Sequence, residues 1–155
     1  MKKLLSAQEV EMVNKLGVEE LLASQRYLHL SNSMKTIGFL GSAKYFMKES
    51  LDEREHFNKL EDFMNDMNEQ IEVRAVEKMD VEVEDLMEAL EIAIEAETEL
   101  LGKYEDAYEK GCPKLKALCL DFINIQVQSV GEYGDLIARL SRTSEPILID
   151  QELGE

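Results

Sequence analysis

The sequence predicts an all-α protein: a four-helix bundle with a long connection between its second and third helices and a short fifth helix at the end. Three observations lead there. Apolar residues recur at steps of three and four along four long stretches, the period of a helix with one buried face. The chain is rich in Glu, Lys, Leu, Ala and Met and holds only 2 Pro and no Trp, a mix that favours helix. Between Glu69 and Asp80 the period breaks, and Gln70-Ile71-Glu72-Val73-Arg74-Ala75-Val76 alternates like an extended segment, too long for a simple turn.

At 155 residues and 45% hydrophobic composition, one domain with a real core is expected over 1–155. The net charge of -16, from 33 acids against 17 bases, argues against nucleic acid or an anionic membrane as a partner and suits the attraction of cations. The same charge also serves solubility alone. Cys112 and Cys119 lie in no Cys-x-x-Cys pattern and read as free thiols. The apolar run after Lys2-Lys3 stops at Ser6, so neither a signal peptide nor a membrane span is expected, and the expected location is cytoplasmic.

The first helix is predicted over about residues 6–35, opened by the capping box Ser6-Ala7-Gln8-Glu9. Its inward stripe is Val13, Leu16 or Gly17, Glu20, Ser24, Tyr27, Ser31 and Met34. Glu20 and Tyr27 then share a face. Periodicity leaves a second choice open for Glu20: a solvated face with Lys15 and Glu19, while Leu21 and Leu22 pack.

The second helix is predicted over 42–68, with Ser42 as its cap. Here Glu53 and His56 stand three residues apart, in phase with Phe46, Phe57, Leu60, Met64 and Met67. Positions i and i+3 lie on one side of a helix, so both side chains can reach one spot. A carboxylate on a buried stripe is costly unless compensated. A metal ion is the commonest compensation for an acid and an imidazole on one turn.

The third helix is predicted over 81–110, capped by Asp80 and ended by Gly111 in a left-handed conformation. Glu84, Glu88, Glu91, Glu95 and Glu99 form a face that needs water. The opposite stripe is Leu86, Leu90, Ala93 or Ile94, Glu97, Leu100 or Leu101, and Tyr104, with Ala96 or Thr98 as alternatives to Glu97. The fourth helix, 113–141, starts at Pro113 and buries Leu115, Leu118, Phe122, Ile125 or Gln126, Ser129, Tyr133, Leu136 and Leu140. The short turn between these two helices makes them antiparallel neighbours, which sets Gln126 across from Glu97. A final segment, 146–153, makes one or two turns and is expected to pack outside this bundle.

Three carboxylates and an imidazole inside an apolar bundle are the ingredients of a dinuclear iron site, better suited to Fe(II) than to Ca(II) or Mg(II). The motifs that carry them are Glu20-x-x-Ala23-Ser24-x-x-Tyr27-Leu28, Glu53-Arg54-Glu55-His56-x-x-Lys59-Leu60, Glu132-Tyr133-Gly134-Asp135-Leu136 and Ile149-Asp150-Gln151-Glu152-Leu153. Through them the whole chain resembles the ferritins, most closely the non-haem bacterial and archaeal ones. The resemblance implies a ferritin-like bundle with a ferroxidase centre for two irons. Glu20 and His56 would bind the first iron, Glu97 the second, and Glu53 would bridge them. Gln126 would stand beside the second iron and Tyr27 would adjoin the centre. Asp52 and Glu55 match acids of a cavity-facing surface. Glu97 is taken as the third glutamate in preference to a register through Ala93. The implied activity is oxidation of Fe(II) by O2 or H2O2, with ferric mineral deposited inside a hollow homo-oligomer of 24 subunits.

The departures from that pattern carry expectations of their own. Symmetric di-iron bundles repeat Glu-x-x-His on the fourth helix; here Gln126, Val127, Gln128 and Ser129 stand there. Iron is then expected to pass through the centre rather than stay. Ile125, Gln128 and Ser129 occupy positions matched to a third iron site, which is expected to be absent or feeble. Bacterioferritins hold haem with a Met where this chain has Arg54, so no haem is expected. Lys116 and Cys119 fall where animal ferritins line an iron entry channel with acids. Two rival readings are a ferritin-like scaffold whose site is degenerate, with Glu97 turned outward, and a rubrerythrin-like peroxidase. The second would call for a rubredoxin-type cysteine domain and a further ligand set on the fourth helix, neither of which is seen in this sequence.

Overall fold

The computed structural model describes residues 2–155. Five helices follow one another: α1 (Ala7–Ile37), α2 (Leu40–Asp66), α3 (Leu86–Lys110), α4 (Pro113–Leu140) and α5 (Pro146–Leu153). The Ser6 capping box forms as expected, with Glu9 N–H donating to Ser6 Oγ and Ser6 N–H to Glu9 Oε1. Gly38, at φ 93°, closes α1 in the left-handed region, where glycine carries no steric cost. The α1 and α2 helices form one antiparallel hairpin, and α3 and α4 form the other.

Between the hairpins, the connection from Met67 to Asp85 runs beside α1 and is held by its side chains. Glu72 N–H donates to Asn14 Oδ1 at 2.9 Å, the Arg74 guanidinium forks onto Glu11 at 2.8 and 2.9 Å, and Gln25 Nε2 donates to the Glu77 carbonyl. His29 Nε2 meets the Val81 carbonyl at 2.6 Å. Ile71 is buried, and its tip lies 3.1 Å from the place a side chain on Gly17 would occupy.

Several boundaries differ from those predicted, each for a local reason. The third helix starts at Leu86 rather than residue 81, because Asp85 takes the Glu88 N–H at 2.8 Å and so does the capping assigned to Asp80. Gly111 is extended (φ -83°) rather than left-handed; a Cβ there would lie 3.0 Å from the Ala107 carbonyl oxygen and the Leu115 side chain, so space explains the glycine. The second helix starts at Leu40, and Ser42 lies inside it rather than capping it. The cap comes from Asp150 of α5, whose carboxylate accepts the Gly41 and Ser42 N–H groups at 3.3 and 2.6 Å. The tail therefore docks on its own bundle, with Ile149 buried, rather than packing only outside it. The α1 stripe passes through Ala23, while Ser24 is half-buried and donates to the Ser50 carbonyl. Cys119 is fully buried in the core and does not line a surface channel of the subunit.

The core is split in two. One cluster gathers Tyr27, Leu30, Met34, Phe46, Leu90, Tyr133 and Leu136. The other gathers Val13, Leu16, Phe57, Leu60, Leu100, Tyr104, Leu115 and Phe122. On every one of the four long helices the sequence passes from one cluster to the other, and in that gap lie Glu20, Glu53, Glu97 and Gln126. Among the described residues no helix is long and apolar enough to cross a membrane.

Candidate metal centre

Each helix delivers one polar side chain to the middle of the bundle because that position falls in the buried phase of its stripe. Glu20 is fully buried, Glu53 and Glu97 are 2% exposed, and Gln126 is fully buried. The period alone could not choose between these and their neighbours; in the structure Leu21, Ala96, Thr98 and Ile125 all keep some exposure. His56 is half-buried at the edge of this group.

Ligand atoms of Glu20, Glu53 and His56 lie within 4.8 Å of one another. His56 Nδ1 is 3.0 Å from Glu53 Oε2 and 3.6 Å from Glu20 Oε2. Glu20 Oε1 accepts from the Tyr104 hydroxyl at 2.6 Å, while Glu20 Oε2 is buried with no hydrogen-bond partner. Across from this trio, Glu97 accepts from the Tyr27 hydroxyl on Oε1 and from Gln126 Nε2 on Oε2 at 2.5 Å. Gln126 Nε2 also donates to the Glu97 carbonyl at 3.2 Å.

The charge balance is poor without a cation. Burial raises the Glu53 carboxyl to about 7; the His56 hydrogen bond opposes that, and the neighbouring Glu20 adds to it. Burial likewise raises Glu97 to about 7, with the Glu53 charge adding and the Tyr27 and Gln126 hydrogen bonds opposing. Burial works against charge on His56, but the Glu20 and Glu53 carboxylates outweigh it and raise the imidazole to about 10. So the group holds protons where a cation would sit. An orphaned buried carboxylate oxygen beside an imidazole and a second carboxylate fits a borderline divalent ion, and its arrival would displace those protons.

Two residues at this place were not singled out in the sequence. Tyr104 was assigned only to the apolar stripe; its signal is that a buried phenol seeks a partner, and it stands two turns after Glu97. Glu49, four residues before Glu53 on the same face, is partly buried, and burial together with Asp52 and Glu53 raises its carboxyl to about 7. Asp52 is partly exposed and paired with Lys48 at 2.9 Å, and Glu55 is exposed.

Comparison with known proteins gives the fold and the family. Residues 10–143 match the family described as a ferritin-like domain. A ferritin of Pacifastacus leniusculus is 30% identical over 158 residues, covering 94% of this chain and 87% of its own. A "Probable bacterial non-heme ferritin-like protein" of Haemophilus influenzae is 24% identical over 159 residues, covering 97% and 96%. Among solved structures, the open pore ferritin of the hyperthermophilic archaeon Archaeoglobus fulgidus superposes with a TM-score of 0.91 at 20% identity, covering 96% of each chain. A form of that protein engineered to be closed gives 0.90 at 20% identity, covering 97% of this chain and 96% of its own. The five-helix fold is that of the ferritins, and with a family match across most of its length this chain belongs to the ferritin family.

Proposed function

We propose that this protein oxidises Fe(II) at the buried Glu20, Glu53, His56 and Glu97 cluster and stores the ferric product. The observation that carries the reading is the set of three buried acids and an imidazole between two apolar clusters, with one oxygen of Glu20 left without a partner. Iron is substrate here. In the proposed roles Glu20 and His56 bind the first Fe(II), Glu97 the second, and Glu53 bridges. Two Fe(II) supply two electrons, enough to reduce O2 to H2O2 with two protons, or H2O2 to two waters with two protons. Burial keeps bulk water from the centre, and the protons released as iron binds leave from Glu53, Glu97 and His56. Tyr27 and Gln126 orient Glu97.

Gln126 in place of a fourth acid keeps the ligand charge low, which favours passage of the oxidised iron over retention. The net charge of -16 draws cations toward the protein. Storage requires a hollow homo-oligomer, and 24 subunits is the number the family resemblance implies. The scaffold alternative needs Glu97 turned outward, whereas Glu97 is 2% exposed.

The test adds Fe(II) anaerobically, then O2 or H2O2, and follows ferric absorbance together with particle mass by light scattering. Rapid oxidation with mass near that of 24 subunits is expected. A rate no greater than that of Fe(II) in buffer would refute the ferroxidase assignment, and a stable dimer would refute storage.

A further inference from the structure

The two oxygens of Glu20 are in opposite situations. Oε1 is held by the Tyr104 hydroxyl at 2.6 Å, while Oε2 is buried and unpartnered, 3.6 Å from His56 Nδ1. Tyr104 itself is fully buried and cannot swing. Its ring stacks on Phe122, with centroids 4.7 Å apart and planes 3° from parallel, and Phe122 meets the His56 ring edge-on at 5.9 Å. One aromatic wall therefore braces both Glu20 and His56.

The same contact occurs once more in reverse. Tyr27 of α1 donates to Glu97 of α3, and Tyr104 of α3 donates to Glu20 of α1. On each helix the tyrosine follows its glutamate by seven residues, two turns, so that in an antiparallel pair each glutamate lies level with the other helix's tyrosine. Glu20-x6-Tyr27 and Glu97-x6-Tyr104 are thus reciprocal braces.

The geometry points to Tyr104 as a positioning residue for the first metal: by occupying Oε1 it presents Oε2 as the one oxygen of Glu20 turned toward the ion beside His56. This rests on the metal-centre reading above. Outer partners of metal-binding side chains that fix their orientation matter about 10–100-fold for affinity. Tyr104 does not touch the ion; it acts through Glu20.

Co(II), which O2 does not readily oxidise at such ligands, is the probe. The full-length protein, Tyr104→Phe, Glu20→Ala and the double variant are each titrated and followed by visible ligand-field absorption. Tyr104→Phe keeps the ring and its stacking, and unchanged far-ultraviolet circular dichroism checks the fold. The first Co(II) is expected to bind the Phe variant about 10–100-fold more weakly, with altered bands. In the Glu20→Ala background the hydroxyl is expected to make no further difference. Parent-like affinity and spectrum in Tyr104→Phe would overturn the positioning role, and so would an equal loss with and without Glu20. Co(II) uptake by the parent that is indifferent to Glu20→Ala and Glu53→Ala would instead sink the metal centre itself, and Tyr104's role with it.

Discussion

Glu20 and Glu97 flank Glu53 from opposite helices, and each receives a tyrosine hydroxyl on Oε1. They differ at the other oxygen. Glu20 Oε2 has nothing but the nearby His56, whereas Glu97 Oε2 is already taken by Gln126. The first half of the centre is thus open in the direction of an incoming ion. In the second half one lone pair of Glu97 Oε2 already accepts from Gln126, so an ion there shares that oxygen with a fixed donor. Two positions built from the same residue types therefore differ in their hydrogen bonding, and on the proposed roles the His56 half is expected to fill first.

The comparison breaks most completely if the shared residue is removed. On the proposed roles Glu53→Ala takes a ligand from both halves, and it is expected to slow Fe(II) oxidation by more than about 100-fold, the upper end of what even indirect partners contribute, as read by stopped-flow absorbance. Glu97→Ala breaks only one half. Co(II) stoichiometry per chain should fall from two to one, with the first ion still bound, since Glu20, Glu53 and His56 all remain. The same titration on Glu20→Ala should weaken the first ion instead.

Gln126→Leu sharpens the contrast more gently. It frees Glu97 Oε2 but leaves it buried without a donor, so the metal-free protein should lose about 1–3 kcal/mol in urea unfolding. Added Co(II) should recover most of that loss.

The smallest effect is in pH. The Glu97 carboxyl is raised to about 7 from an ordinary 4.5, so the folded state holds a proton that the unfolded state releases. Its contribution is fully present below about 4.5 and is lost as pH climbs through 7. Glu97→Gln does not titrate, so its stability relative to the metal-free parent should rise by up to about 2.5 kcal/mol between pH 5 and pH 8, measured from urea midpoints. His56, raised to about 10, is present in both proteins and cancels.

The helical period sufficed for the four long helices, because it depends only on which side of each helix faces the core. It also brought Glu53 and His56 together, since three residues on one helix leave little freedom. Glu20 and Glu97 were legible only as one choice among neighbours, favoured by phase and by the family resemblance, and the structure buries both. What escaped was tertiary in origin. Tyr104 looks like any aromatic residue in an apolar stripe, and its partner Glu20 is 84 residues away. The start of α2 differs from the expected one for the same reason: Ser42 is a good capping residue by type, but the oxygen that does the capping belongs to residue 150. The start of the third helix did have a local signal: Glu88 stands three residues after Asp85, whereas only Val83 stands three after Asp80.

The Asp150 contact also sets an order of events during synthesis. The α2 helix, with Glu53 and His56 on it, leaves the ribosome long before its capping carboxylate, which lies 109 residues downstream of Gly41. Its first turn therefore waits with bare N–H groups until α5 has been made. Gly41 keeps that late arrival possible, because any Cβ there would sit 1.9 Å from the Asp150 carbonyl oxygen. The α5 helix thus acts as a seal, and a chain lacking it would carry α2, with Glu53 and His56 on it, with a frayed beginning.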